Sequence, residues 1–299
     1  MFIGFVLHHT GTVEHPPVWG EEVQARLFCK ELEKLGIETQ IINKNEFFRR
    51  IPDVSFHFAS DMPIKDGRLK VVWFQNDWDF RNLEQNINQF DNKYDIMLHA
   101  SKVLQVKHGK GYFFRMPADP ELYFPMSPTT AFPETDIVYV SNNIKPYYND
   151  EWIKPIARHF GPERFRIYGS VWEGSGLEEC CHGAPPGLVV PEIFSSAKIV
   201  LSIHLEAHRR FNVTTCRIPE ALLAGKPVLS DRVGQETYGL YVWYGNNGEN
   251  LVSLAEEILD NYEDATRIAL LGRSFITENH TVKHRIVELL DYIRQTGKL

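Results

Sequence analysis

A chain of 299 residues with 43% hydrophobic content is long enough to bury a full core, in one large or two smaller α/β domains. Its 32 basic and 39 acidic side chains leave a net charge of −7, without the basic excess that displaces counterions from duplex phosphates, so dedicated nucleic-acid binding is disfavoured. No run approaches the roughly 18–20 apolar residues of a membrane span, and Cys29, Cys180, Cys181 and Cys216 show neither CxxC nor zinc spacing. A disulfide framework is therefore not expected, and the reducing cytoplasm is the expected compartment.

In chain order, FIGFVL (2–7) reads as a first strand. The start MFIGFVLHHTGT lacks the basic leader and small-residue cleavage site of a signal peptide. A polar loop with His8, His9, Thr10 and Glu14 follows. GEEVQARLFCKELEKLG (20–36) then shows helical spacing at Val23, Leu27, Leu32 and Leu35 and ends on glycine. IETQIIN (37–43), DVSFHFA (53–59), LKVVWF (69–74) and YDIMLHA (94–100) are strand candidates. Strands alternating with helices predict βαβ units and a parallel sheet.

The stretch 117–136 carries five prolines and no helical period, and reads as a linker. The rhythm restarts with strand candidates DIVYVSN (136–142), RFRIYGS (164–170), AKIVLSIH (197–204) and KPVLSD (226–231). Helical patterns fill the tail from Asn250. The expected fold class is α/β with two Rossmann-like domains facing a central cleft. The first is expected over 1–125 and the second over 126–280, with a last helix, 281–299, returning to the first. Such folds bind ligands at the carboxyl ends of parallel strands.

The most informative stretch is HRRFNVTTCRIPEALLAGKPVLSD (208–231). A polar loop leads into the helix PEALLAG, stopped by Gly225, and then into a buried strand. The start of that helix offers unpaired N–H groups and partial positive charge to a phosphate or diphosphate. Arg217, just before it, would pair with the same anion through its planar fork. Glu220, in the first turn, would accept from a ribose diol. The competing reading is purely structural, with Glu220 complementing the helix dipole and Arg217 in a surface ion pair.

EALLAGKPVLSD resembles the EA-A-G-PV segment of retaining GT-B glycosyltransferases, and RIPE resembles the R-x-x-E pattern of the CgeB-like, spore-maturation type, related to the group 1 enzymes. Five further pieces follow the family order: PADPELYFP, DIVYVSNN, RFRIYGSVW, VVPEIFSSAKIVLSIH and ENHTVKHR. The resemblance implies a GT-B enzyme that moves a sugar from a nucleotide-sugar donor to an acceptor hydroxyl. It implies no cofactor beyond that donor, which is expected to be UDP-linked, and a glycan or other hydroxyl compound as acceptor. It also implies a glutamate eight residues before the ribose-binding one. Here that position is Asn212, with Val213-Thr214-Thr215 in place of glycines. Asn212 can bond a sugar hydroxyl but cannot act as a carboxylate.

The donor-binding candidates are Asn142, Lys145, Tyr168, Gly169, His204, Asn212, Thr214, Thr215, Arg217 and Glu220. Lys145 would balance diphosphate charge or stay a solvated lysine. His204 closes a strand and would touch the donor or simply be satisfied at the strand end. His182, in CCHGAPPG, borders the expected base position. In the first domain His9 and Asp77 are the catalytic candidates for deprotonating an acceptor, beside Glu14 and Asp79, while helix capping is the favoured reading of each aspartate taken by itself. Asp77-Trp78-Asp79 also spells the D-x-D metal motif of the GT-A architecture. With the other pieces pointing to the metal-independent fold, no metal site is expected. Two alternatives stay open: a nucleotide-sugar epimerase on the same fold, and a non-catalytic nucleotide-sugar-binding protein.

Overall fold

The structure is a computed structural model that describes residues 1–8, 20–75, 77–86, 88–143 and 149–299, with the backbone alone at 77 and 78. His9, Thr10, Glu14 and Lys145 lie outside the described residues, as do the side chains of Asp77 and Trp78.

The chain opens with β1 (Phe2–Leu7), α1 (Gly20–Lys34), β2 (Glu38–Asn43), β3 (Val54–His57) and β4 (Leu69–Phe74). It continues through α2 (Asp77–Gln85), β5 (Ile96–His99), α3 (Lys102–His108) and β6 (Tyr112–Phe113). Next come β7 (Thr135–Val140), α4 (Lys154–Arg164), β8 (Phe165–Tyr168), α5 (Val190–Ser196) and β9 (Ala197–Ser202). After these lie α6 (Glu206–Phe211), α7 (Arg217–Leu223), β10 (Val228–Asp231), α8 (Gln235–Tyr238) and β11 (Val242–Gly245). Three helices close the chain: α9 (Gly248–Asp260), α10 (Tyr262–Asn279) and α11 (Val282–Gln295).

Packing divides these elements into two units. The first comprises Met1–Pro117, Glu206–Val213 and His280–Leu299, the second Ala118–Leu205 and Thr214–Asn279. The first holds a parallel sheet in the order β2-β1-β3-β4-β5-β6. Every residue of β1, β3 and β5 is buried, the continuous apolar reading of strands covered on both faces. Phe5, Phe28, Phe56, Phe58, Trp73 and Phe114 interlock as one aromatic core, largely in tilted and edge-to-face pairs. Helix α6 belongs here, with Phe211 against Phe80 at 5.8 Å and its carbonyl accepting from Ser101 Oγ at 2.8 Å.

The second unit holds a parallel sheet in the order β11-β10-β9-β7-β8. Strand β7 shows why the sheet is central. Ile137 and Tyr139 enter one buried cluster with residues of α4 and α9, whereas Val138 and Val140 enter another with residues of α5 and α7. The period of two thus places apolar side chains on both faces. The proline-rich stretch read as a linker is packed into this unit, with Ala118 and Tyr123 fully buried in the second of those clusters. Gly272 of α10 lets that helix approach α7, since a Cβ there would lie 2.8 Å from Leu222.

Candidate functional site

In each sheet the chain steps to one side of a strand and then to the other, and the loops flanking that reversal form the natural ligand crevice. In the first unit the reversal lies between β1 and β3, in the second between β7 and β9.

In the first unit β1 delivers His8. Its Nε2 lies 2.9 Å from Asp61 and its Nδ1 3.5 Å from Glu21, and its side chain is 24% exposed. Hydrogen bonding to Glu21 and Asp61 outweighs the opposing effect of burial and raises the imidazole pKa to about 9. Asp79, by contrast, is committed to structure. Its Oδ1 accepts from the Ser60 amide at 2.9 Å and the Ser60 hydroxyl at 2.5 Å, and its Oδ2 from the Gln75 amide at 3.1 Å. Among the described residues no group of three or more His, Cys, Asp and Glu side chains is arranged to hold a metal ion.

In the second unit the loop after β7 is tied to the loop after β8. Asn142 Oδ1 accepts from the Ser170 amide at 2.8 Å, the Asn143 amide donates to the Ser170 carbonyl at 2.9 Å, and Trp172 Nε1 donates to the Ser141 carbonyl at 2.9 Å. Gly169 is required by this approach, because a Cβ there would lie 1.8 Å from the Ser141 carbonyl oxygen. Tyr168, at the end of β8, stacks on His182 with ring centroids 5.4 Å apart. The structure therefore brings Asn142, Tyr168, Gly169 and His182 together at one strand end.

A second group forms around α7. This helix starts at Arg217 itself, not after it, and no side chain caps it. Arg217 Nη1 donates to Glu220 Oε2 at 2.8 Å, so the two residues expected to meet a ligand also meet each other. Glu220 is 2% exposed. Tyr123 and Cys216 bond to the same carboxylate; burial first, and that carboxylate second, push the Tyr123 phenol well above its ordinary pKa and the Cys216 thiol to about 12. The Arg217 side chain keeps 28% of its surface.

His204 is wholly buried beyond the end of β9. Its Nδ1 bonds Asp231 Oδ1 at 2.5 Å, its main-chain amide donates to Asp231 Oδ2 at 3.1 Å, and its Nε2 accepts from the Thr215 amide at 3.2 Å. Thr214 packs on Gly234, where a Cβ would lie 2.1 Å from the Thr214 methyl group. Asn212 follows the end of α6 at φ 50°, a left-handed conformation that asparagine tolerates and glutamate resists, and it belongs to the first unit. Sequence reasoning missed Tyr123, Cys216, Asp231 and Gly234. The aspartate closing KPVLSD at a strand end was the one visible signal among them.

Comparison with known proteins adds a family likeness over part of the chain, and a fold. The family described as "Glycosyl transferase-like" matches residues 149–291. No curated protein matches the sequence. Sucrose-phosphate synthase from Thermosynechococcus elongatus has a TM-score of 0.67 at 9% identity, covering 98% of this chain and 98% of that one. Anabaena Alr3699/HepE, solved in complex with UDP-glucose, has a TM-score of 0.67 at 14% identity, covering 98% of this chain and 100% of that one. AviGT4, a glycosyltransferase involved in avilamycin A biosynthesis, has a TM-score of 0.65 at 14% identity, covering 100% and 97%. At these identities the likeness establishes the fold, the α/β GT-B architecture expected from the sequence.

Proposed function

We infer that this protein, a glycosyltransferase of the GT-B fold, takes its sugar from a UDP-linked donor held by the second unit and passes it to an acceptor hydroxyl. The observation that carries this reading is the glycosyl transferase-like match over residues 149–291, which includes the Arg217–Glu220 turn and the strand ends around it. UDP is assigned because Alr3699/HepE, of the same fold, was solved with UDP-glucose, and because the motifs resemble those of CgeB-like enzymes, the subtype we assign.

In this reading Arg217 takes the donor diphosphate and Glu220 accepts from the ribose hydroxyls. The bond between them sets the guanidinium plane before the ligand arrives, which reduces the ordering needed on binding. A fixed positive fork beside the leaving diphosphate stabilises the charge that builds there as the sugar gains oxocarbenium character. Asn142, Tyr168, Gly169, Thr214 and Thr215 complete the donor side, with Lys145 from the sequence alone. Asn212 bonds a sugar hydroxyl. His9 and Asp77 are the assigned candidates for activating the acceptor, a glycan or other hydroxyl compound. The cytoplasm is the assigned compartment, consistent with four free cysteines. Among the described residues no helix is long and apolar enough to cross a membrane.

Incubating the protein with a panel of nucleotide sugars and candidate acceptors tests the reading. Release of UDP coupled to glycosylation of an acceptor is the expected outcome. Conversion of the donor to its epimer without release would make the protein an epimerase. Binding without turnover would make it a nucleotide-sugar-binding protein.

A further inference from the structure

We propose that His204 and Asp231 form a buried positioning pair that holds the Thr214–Cys216 segment, and through it Arg217, in the geometry that binds the donor diphosphate. The inference rests on the donor reading given above, and it assigns His204 a role exerted through the main chain instead of by contact with the donor.

The hydrogen bonds dictate the chemistry. Asp231 uses both carboxylate oxygens on one residue, Oδ2 on the His204 amide at 3.1 Å and Oδ1 on its Nδ1 at 2.5 Å. A carboxylate accepts only, so the proton sits on Nδ1. Nε2 must then be the acceptor for the Thr215 amide at 3.2 Å, and a proton there would set two donors face to face. The pair therefore specifies one tautomer, and that tautomer is what lets the loop dock.

The location gives the docking a consequence. Strands β9 and β10 run parallel, with Ser230 opposite Ser202, so Asp231 and His204 stand together just beyond their carboxyl ends. Ser230 Oγ donates to the Ser202 carbonyl at 2.7 Å and closes the same strand ends from below. The Thr215 amide is fastened there two residues before Arg217, and the Thr214 methyl is wedged against Gly234. Neither His204 nor Asp231 has surface to offer a ligand, being 0% exposed in both cases. Burying an imidazole and a carboxylate is costly unless they are bonded in this way, and what the bonds fix is the amide leading into the arginine.

Two substitutions separate a positioning role from a merely structural one. In His204→Gln the amide group reaches the place of Nε2 and its oxygen can accept from Thr215. In His204→Asn the amide nitrogen takes the place of Nδ1, bonds Asp231 and leaves Thr215 without an acceptor. Asparagine is one methylene group shorter than glutamine, a packing difference that the near-isosteric Asp231→Asn does not share. Hydrogen exchange at the Thr215 amide in the ligand-free protein should stay slow in the glutamine variant and become fast in the asparagine variant. Calorimetric titration with UDP should give an affinity within about threefold of wild type for glutamine and about ten- to a hundredfold weaker for asparagine. Asp231→Asn, which cannot accept from both His204 groups at once, should behave like His204→Asn and serves if either histidine variant fails to fold. Equal losses of UDP affinity in the two histidine variants, or unchanged affinity in both, would overturn the proposal. Wild-type protein that shows the exchange contrast with its variants yet binds no UDP would instead overturn the donor reading, and the proposal with it.

Discussion

The two units solve the same topological problem with opposite chemistry. At the reversal in the first sheet, the titratable group is His8, a quarter exposed and set between two carboxylates that are themselves partly solvated. At the reversal in the second sheet, His204 and Asp231 are sealed from water, and close to the same loop Glu220 is held by Arg217, Tyr123 and Cys216. Exposed pairs contribute little because water competes for both partners. Buried ones are costly to break because the remaining partner keeps its desolvation cost. The second unit is thus built to keep a fixed arrangement, the first to tolerate adjustment.

The largest contrast is expected from removing one carboxylate on each side. Asp231→Ala removes the carboxylate that accepts from both the His204 amide and its Nδ1 and should cost about 3–5 kcal/mol in urea unfolding. Asp61→Ala, at the exposed cluster, should cost less than about 1 kcal/mol. Comparable losses would dissolve the distinction between the two reversals.

A smaller effect sharpens it through pH. His8 has its folded-state pKa raised from 6.5 to about 9, so its stabilising contribution is complete below about 6.5 and is lost as pH rises through about 9. Wild type should therefore exceed His8→Asn in stability by about 1 kcal/mol at pH 6, with the gap closing by pH 10. A gap that is flat across this range would mean the imidazole is not charged in the fold.

Much of this arrangement was legible in the sequence, and the illegible parts share a cause. All nine expected strands are present; eight are runs of largely buried apolar residues, and β2 is an edge strand with Ile42 buried. Strand β6, only two residues long, lacks such a run, whereas β11, at a sheet edge with its two middle residues half-buried, lies in the apolar run 240–244 that the sequence reading did not single out. The stretch 117–136 read as a linker on its prolines, yet Tyr123 anchors it in a core. The order of apolar residues cannot reveal that, since the partners lie near residue 220. His204 and Asp231 are 27 positions apart and meet only because β9 and β10 pair in register. Asn212, at a left-handed turn after α6, falls in the first unit with the whole segment Glu206–Val213. Local pattern gives the elements, while buried polar pairing depends on register and must be seen.

The smallest expected effect is that of chelation. If Arg217 meets the diphosphate charge as proposed, UDP affinity should be unchanged by EDTA. Loss of all affinity on chelation would return Asp77-Trp78-Asp79 to consideration as a metal site and remove Arg217 from its assigned role.

The central claim, that the α7 turn of the second unit binds the donor diphosphate, is tested most directly by titrating Arg217→Ala with UDP and with uridine, under conditions where circular dichroism shows the variant folded. Breaking a charge-assisted bond in a partly desolvated site costs about 1.5–3 kcal/mol, so UDP affinity should fall roughly ten- to more than a hundredfold while uridine binding stays close to that of wild type. If the variant binds UDP as tightly as wild type, or loses UDP and uridine affinity alike, the arginine serves only to hold Glu220 and the diphosphate is bound elsewhere.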